Sequence, residues 1–349
     1  MIHGGDIYRN QVTLDFSVNV NPLGIPESVR NALYDAVDFC GVYPDIRAEK
    51  LRESVSSSLG ISKEHLLFGS GASELFMSVV HAIRPAQAVI PVPSFYGYEH
   101  AAKAVTEHVR YYQMQEEDGF LPTEDLLGFL NEGADLLFLA NPNNPTGTLM
   151  KKDYLLRLFS HCKTHRIPVV LDECFIEFCE GQESMLDVIS EFENVILIRA
   201  FTKIFAIPGV RLGYLVCSDK QLLERIEKQL PEWNLSVFAQ AAGAACAGEQ
   251  EFRLRTAAYI RQEREVMVGE LEKLLEHKKF QCRIYPGNAN FILLYTEYPL
   301  YDRLLKRGIL IRNCENFKGL GSGYYRIAVR TREENEQLWK AIGEINWDE

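Results

Sequence analysis

Ile167-Pro-Val-Val-Leu-Asp172 is an unbroken apolar run ending on a carboxylate, and Val195-Ile-Leu-Ile-Arg199 and Gly213-Tyr-Leu-Val-Cys217 repeat the pattern downstream. Short runs that are apolar at every position fit strands covered on both faces, the habit of a parallel sheet with crossover helices. Ala88-Val-Ile90 and Asp135-Leu-Leu-Phe-Leu-Ala140 belong to the same series. Between about Leu66 and Val216 these runs alternate with helical patterns, so the chain reads as α/β, with a mostly parallel sheet. The opening to about Pro26 is rich in Gly, Asn and Pro and reads as an ordered arm, followed by a helix from about Glu27 to Phe39. After Trp233 a long, charge-laced helix from about Glu251 to His277 precedes strand-like Ala289-Asn-Phe-Ile-Leu-Leu294 and Tyr325-Arg-Ile-Ala-Val-Arg330. These changes divide the chain into an arm with part of a small α/β domain (1–40), a large domain (41–235) and the remainder of the small domain (236–349).

The 349 residues are 47% hydrophobic, enough for a sizeable core. With 37 basic and 48 acidic side chains the formal charge is −11, which argues against nucleic-acid and anionic-lipid partners. An anionic substrate must then be gripped by local arginines. No apolar run approaches the roughly 20 residues that span a bilayer, and the start Met-Ile-His-Gly-Gly-Asp lacks the features of a leader. The eight cysteines contain no CxxC pair and read as reduced thiols, so a cytoplasmic location is expected.

Three residue types in order carry the chemistry. Asp172 ends its strand, where a buried carboxylate is costly unless a cation or a helix cap satisfies it. Lys203 follows another strand and is flanked by Phe201, Ile204, Phe205 and Ile207, bulk that desolvates an ammonium and favours the free amine. An amide is offered by the segment Asn141-Pro-Asn-Asn-Pro-Thr-Gly147, directly after the strand ending at Ala140. An amine, an acid for a ring nitrogen and an amide for a phenolate are what pyridoxal phosphate (PLP) requires. Thr202 and Arg211 offer a hydroxyl and a guanidinium to its phosphate. Gly69-Ser70-Gly71-Ala72-Ser73-Glu74 leads into an apolar helix whose first N–H groups suit the same anion. Glu74 stands where a third glycine would complete a dinucleotide fingerprint, which argues against a nicotinamide site. Phe95, in Pro93-Ser-Phe-Tyr-Gly97, is a candidate to stack on the ring. Arg312 and Arg326 end late apolar runs, and two guanidinium forks suit a substrate with a carboxylate and a phosphate. His161 and His165 stand at metal-ligand spacing but lack an acidic or thiol partner, so no metal is expected.

These motifs resemble the fold type I PLP enzymes related to aspartate aminotransferase, in the branch that holds histidinol-phosphate aminotransferase and threonine-phosphate decarboxylase. The resemblance runs nearly end to end. It implies a seven-stranded sheet with helices on both faces plus a smaller α/β domain. It further implies that Lys203 forms the Schiff base, Asp172 meets the ring nitrogen, Asn144 meets the phenolate oxygen and Phe95 covers the ring. Ala72, Ser73, Thr202 and Arg211 would hold the cofactor phosphate, and Tyr43 would reach the phosphate in the partner subunit of a homodimer. Ala200 departs from the family pattern, which usually has Ser or Thr there; one lost neutral hydrogen bond is worth about 1 kcal/mol, a loss the other groups can offset.

Within the branch, the arm His3-Gly4-Gly5 with Leu14-Asp-Phe-Ser-Val-Asn-Val-Asn-Pro-Leu-Gly24 is similar to the decarboxylase side, and Val20 stands where aminotransferases carry glutamate. Phe175 replaces a tyrosine common in aminotransferases, and Ile309 to Leu320 also matches the decarboxylase. By that match His3, Gly4, Asn19 and Arg312 would bind the substrate phosphate and Arg326, beside Asn144, the carboxylate. The implied reaction is decarboxylation of threonine O-3-phosphate for cobalamin synthesis, with histidinol-phosphate transamination as the alternative. A PLP-binding regulator on this fold would carry a basic DNA-binding extension, which this acidic chain lacks.

Overall fold

The computed structural model describes residues 4–181, 184–276, 278 and 280–347. Alternation within the apolar runs decides how the main sheet is covered. Leu137, Leu139, Val169, Leu171, Val195 and Leu197 point into one core. Leu136, Phe138, Val170, Ile196 and Ile198 point into another on the opposite face. Each buried leucine or isoleucine removed from water contributes about 1.5–3 kcal/mol, so strands apolar on both faces are stable only between two helix layers.

In chain order the arm contributes β1 (Leu14–Asp15), followed by α1 (Glu27–Asp35) and α2 (Glu49–Leu59). The helix expected to Phe39 tightens into a 3₁₀ turn from Ala36. The main sheet begins with β2 (Leu66–Gly69), α3 (Ala72–Ile83), β3 (Ala88–Val92), α4 (Tyr96–Lys103) and β4 (Val109–Gln113). It continues through α5 (Asp125–Asn131), β5 (Leu136–Ala140), α6 (Lys152–Thr164), β6 (Val169–Asp172) and β7 (Val195–Ala200). The one-turn α7 (Phe201–Ile204), β8 (Gly213–Cys217) and α8 (Lys220–Glu227) complete it.

The seven strands run in the order β2-β8-β7-β6-β5-β3-β4. All neighbours are parallel except the two pairs made by β8, which lies antiparallel to both β2 and β7. α3, α4 and α8 pack through Phe76, Tyr98 and Ile226 on one face, and α6 through Leu158 and Phe159 on the other.

Beyond the sheet come α9 (Val237–Ala247) and α10 (Gln250–Leu275), a 26-residue helix ending two residues short of the expected His277, which lies outside the described residues. Then follow β9 (Cys282–Tyr285), β10 (Phe291–Thr296), α11 (Leu300–Leu305), β11 (Ile309–Leu310), β12 (Arg312–Asn313), β13 (Tyr324–Ala328) and α12 (Arg332–Gly343). A four-stranded antiparallel sheet has the order β12-β13-β10-β9. The arm is stitched to this C-terminal part: β1 pairs in parallel with β11, and Ala328 N–H donates to the Phe16 carbonyl.

Candidate active site

The carboxyl ends of β5, β6 and β7 open onto a cavity of about 250 Å3. Their last residues Ala140, Asp172 and Ala200 line it, as an open α/β sheet leads one to expect. Lys203 rises into it from α7. Burial, reinforced by the positive charges of Arg326 and Arg211, pushes its amine down to about 8. The amine is therefore protonated below that pH and free above it. Capture of PLP by the cofactor-free chain, read by borohydride trapping, is expected to rise with pH through about 8 and then level off. An unperturbed lysine would keep gaining up to about pH 10.4.

Asp172 is buried, and burial holds its carboxyl above the usual range. Three donors oppose that shift: the Cys174 thiol, the Tyr98 hydroxyl, which reaches Oδ2 at 2.6 Å, and the Cys174 N–H, which reaches Oδ1 at 2.8 Å.

An anion cradle lies at the start of α3. Gly71 has a φ of 84°, and the first turn receives no side-chain cap, leaving the N–H groups of Ala72 and Ser73 at the cavity wall. Glu74 turns back instead, accepting from Ser70 N–H at 2.6 Å and Asn234 at 3.0 Å. The Arg211 fork crosses Gly71 so closely that a Cβ there would sit 2.6 Å from Nη2. Gly71→Ala forces an alanine into a positive-φ extended conformation that only glycine adopts freely, costing about 1–3 kcal/mol, and pushes this fork aside. PLP affinity, measured by titrating the cofactor-free chain, is expected to drop about tenfold.

The three asparagines of the Asn141 to Gly147 turn divide their work. Asn141 accepts from Met150 N–H, and Asn143 donates to the Pro93 carbonyl and Thr146. Asn144 alone lines the cavity, its Oδ1 taking a 2.5 Å bond from Arg326 Nη1.

Arg312 and Arg326 sit directly opposite each other across β12 and β13. Both are buried, and among the described residues neither is ion-paired with a carboxylate. Like charges facing across a strand pair repel, and a buried charge needs a counter-charge. Arg312 donates to the Asn313 carbonyl and Asn316, and Arg326 donates its other Nη to the Ser17 carbonyl at 2.8 Å. Arg326 Nε and Asn19 Oδ1 are buried without partners. Two facing buried guanidiniums suit an anionic ligand, and amine, acid, amide and uncapped helix together match PLP.

Gly4, Asn19, Phe95, Thr202 and Phe175 line the cavity as well. Tyr43 does not. It is 81% exposed, its ring 5.1 Å from Trp233. His3 lies outside the described residues. His161 and His165 stack at 4.2 Å, and among the described residues no group of three or more His, Cys, Asp or Glu could hold a metal.

Two contacts escaped the sequence reading. Tyr98 follows Phe95 by one helical turn, so that spacing could have placed it beside the ring site. Asn21 clips the arm to α7: its N–H donates to the Lys203 carbonyl at 3.1 Å, and its side chain to the Ile204 carbonyl at 2.7 Å and Thr256 at 2.9 Å. Nothing local in the sequence announces a bond across 183 positions.

Comparison with known proteins agrees with this geometry. The family model described as aminotransferase class I and II matches residues 11–342. The chain is 34% identical to the threonine-phosphate decarboxylase of Salmonella typhimurium, over 98% of this chain and 96% of that one. Among solved structures, histidinol-phosphate aminotransferase from Clostridium acetobutylicum superposes with a TM-score of 0.88 at 31% identity, covering 95% of this chain and 98% of that one. L-threonine-O-3-phosphate decarboxylase from Porphyromonas gingivalis gives 0.80 at 26% identity, covering 94% and 98%. With its lysine, strand-end acid and anion cradle all at the rim of one sheet, and a match spanning nearly its whole length, the chain belongs to the aminotransferase class I and II family.

Proposed function

We propose that the chain is a PLP-dependent decarboxylase converting L-threonine O-3-phosphate to (R)-1-amino-2-propanol O-2-phosphate for cobalamin synthesis. The observation that carries this reading is the facing pair Arg312 and Arg326, two buried cations without carboxylate partners among the described residues, lining the same cavity as Lys203. A substrate with a phosphate and a carboxylate neutralises both. PLP, when bound, supplies an aldehyde for the Lys203 amine and a ring that accepts the electrons of a breaking bond at the substrate Cα. Asp172 would meet the ring nitrogen, Asn144 the phenolate oxygen, and Arg211 with Ala72, Ser73 and Thr202 the phosphate. Arg312, Asn19 and Gly4, with His3, hold the substrate phosphate.

Arg326 would hold the carboxylate so that the Cα–COO⁻ bond, rather than Cα–H, is the one presented for cleavage; orientation selects the bond that breaks. Carbon dioxide leaves, and Lys203 Nζ or a water gives Cα the proton that replaces it. Phe175 brings no hydroxyl to the cavity, which separates the site from the aminotransferase pattern.

Shape alone does not choose between the two chemistries, because solved structures of both kinds superpose well. Carbon dioxide release from phosphothreonine, assayed beside glutamate formation from histidinol phosphate and 2-oxoglutarate, chooses. Decarboxylation is expected, and glutamate formation alone would overturn the reading.

The working unit is taken as a homodimer in the cytoplasm. Tyr34, Val37, Phe39, Val42, Tyr43, Ile46 and Trp233 form a set of large apolar side chains left exposed by a single chain. Covering them with a second copy is the arrangement in which Tyr43 serves the partner's cofactor phosphate. The eight cysteines are all free thiols, in keeping with a reducing compartment. Residues 41–235 are taken as the cofactor-holding domain and 1–40 with 236–349 as the substrate-side domain, a division supported by the pairing of β1 with β11.

A further inference from the structure

We propose that Tyr98 is a positioning residue whose hydroxyl keeps Asp172 an ionised acceptor aimed at the ring nitrogen of PLP. The inference rests on the reading of Asp172 given above. Tyr98 is 1% exposed, and its 2.6 Å bond holds Oδ2 while the Cys174 N–H holds Oδ1 and the Cys174 thiol adds a further donor to the carboxylate. Three rings fix the phenol: Phe138 stacks on it at 5.3 Å, while Phe76 and Phe95 meet it edge-on at 5.1 and 5.6 Å. The hydroxyl is thus preorganised, with no freedom to turn away.

The direction of the bond decides its effect. A phenol donates to an oxygen that carries no proton, so this contact is strongest when Asp172 is a carboxylate. Burial works the other way, pushing Asp172 toward its neutral form, which could not pair with a protonated ring nitrogen. Tyr98 itself stays protonated, because burial and the neighbouring acid both disfavour a phenolate. Phe95 is the N-cap residue of α4, three positions before Tyr98, so one short helix and its cap would both cover the ring and set the state of its acid.

The test compares Tyr98→Phe with the unaltered chain, each freed of cofactor and titrated with PLP and with deaza-PLP, which has carbon in place of the ring nitrogen. Tyr98→Phe is expected to weaken PLP binding about tenfold or more and to leave deaza-PLP binding unchanged. Equal losses for both ligands, or no loss for either, overturn the proposal. An unaltered chain that binds PLP no better than deaza-PLP overturns the Asp172 reading and this proposal with it. Failure to bind either ligand points instead to the PLP assignment itself and overturns both. Should Tyr98→Phe not fold, 3-fluorotyrosine at position 98 provides an isosteric, stronger donor. Its absorbance maximum should then shift with PLP but not with deaza-PLP, and identical spectra overturn the proposal.

Discussion

Lys203→Ala is expected to lower product formation about 10⁴-fold and to abolish the covalently trapped adduct while leaving the chain folded. The effect is large because, on the reading proposed above, one amine joins the cofactor and is also a donor of the proton to the substrate Cα. Its environment makes both uses possible at neutral pH: burial brings its titration down to about 8, within reach of either protonation state. Folding should survive, since the side chain makes no ion pair among the described residues and a buried ammonium costs stability. Absorbance in the visible, borohydride trapping and a thermal melt together check it. An alanine variant that still releases carbon dioxide near the original rate would remove Lys203 from the chemistry.

The second large effect is expected at Arg326. Arg326→Lys keeps the charge yet should lower kcat/KM for phosphothreonine by about 10²–10³-fold. A guanidinium has five N–H groups, and here one bonds Asn144 and one the Ser17 carbonyl, which leaves three for a substrate anion. Lysine offers three donors from a single point. It cannot keep both tethers and still grip a carboxylate in two places. A variant held to charge alone would bind substrate and orient it poorly, so kcat should suffer more than KM. Arg312→Lys should show the reverse, with KM raised more than kcat, because it holds the end of the substrate away from the breaking bond. Steady-state kinetics on both variants distinguish the two arginines.

The legible parts of the fold were those written in local pattern. β5, β6 and β7 are apolar except for Asp172 and Arg199 near their carboxyl ends, because both faces are covered, and those ends led to Asp172 and Lys203 directly. β4, with the sequence Val-Arg-Tyr-Tyr-Gln, lies at the sheet edge with half-buried side chains, so its polar residues concealed it. The reversed direction of β8 was equally hidden, since a buried strand carries the same apolar signature whichever way it runs. In the site, Asn144 could be distinguished from Asn141 and Asn143 only by family likeness; the structure separates them by which amide the turn consumes. Arg312 and Arg326 were both candidates, but their direct opposition depends on strand register between distant segments. Tyr43 shows the limit from the other side: within one chain it faces solvent, and only family likeness gives it a role.

The clip made by Asn21 means that the first two dozen residues cannot be treated as a removable appendage. A chain shortened to begin near residue 12 would lose Gly4 yet keep β1 and the tether on the Lys203 and Ile204 carbonyls. Shortening it past residue 21 would unfasten the one-turn helix beneath the amine itself. Proteolytic nicking on either side of that asparagine therefore separates two kinds of damage, one confined to ligand grip and the other reaching the reacting nitrogen.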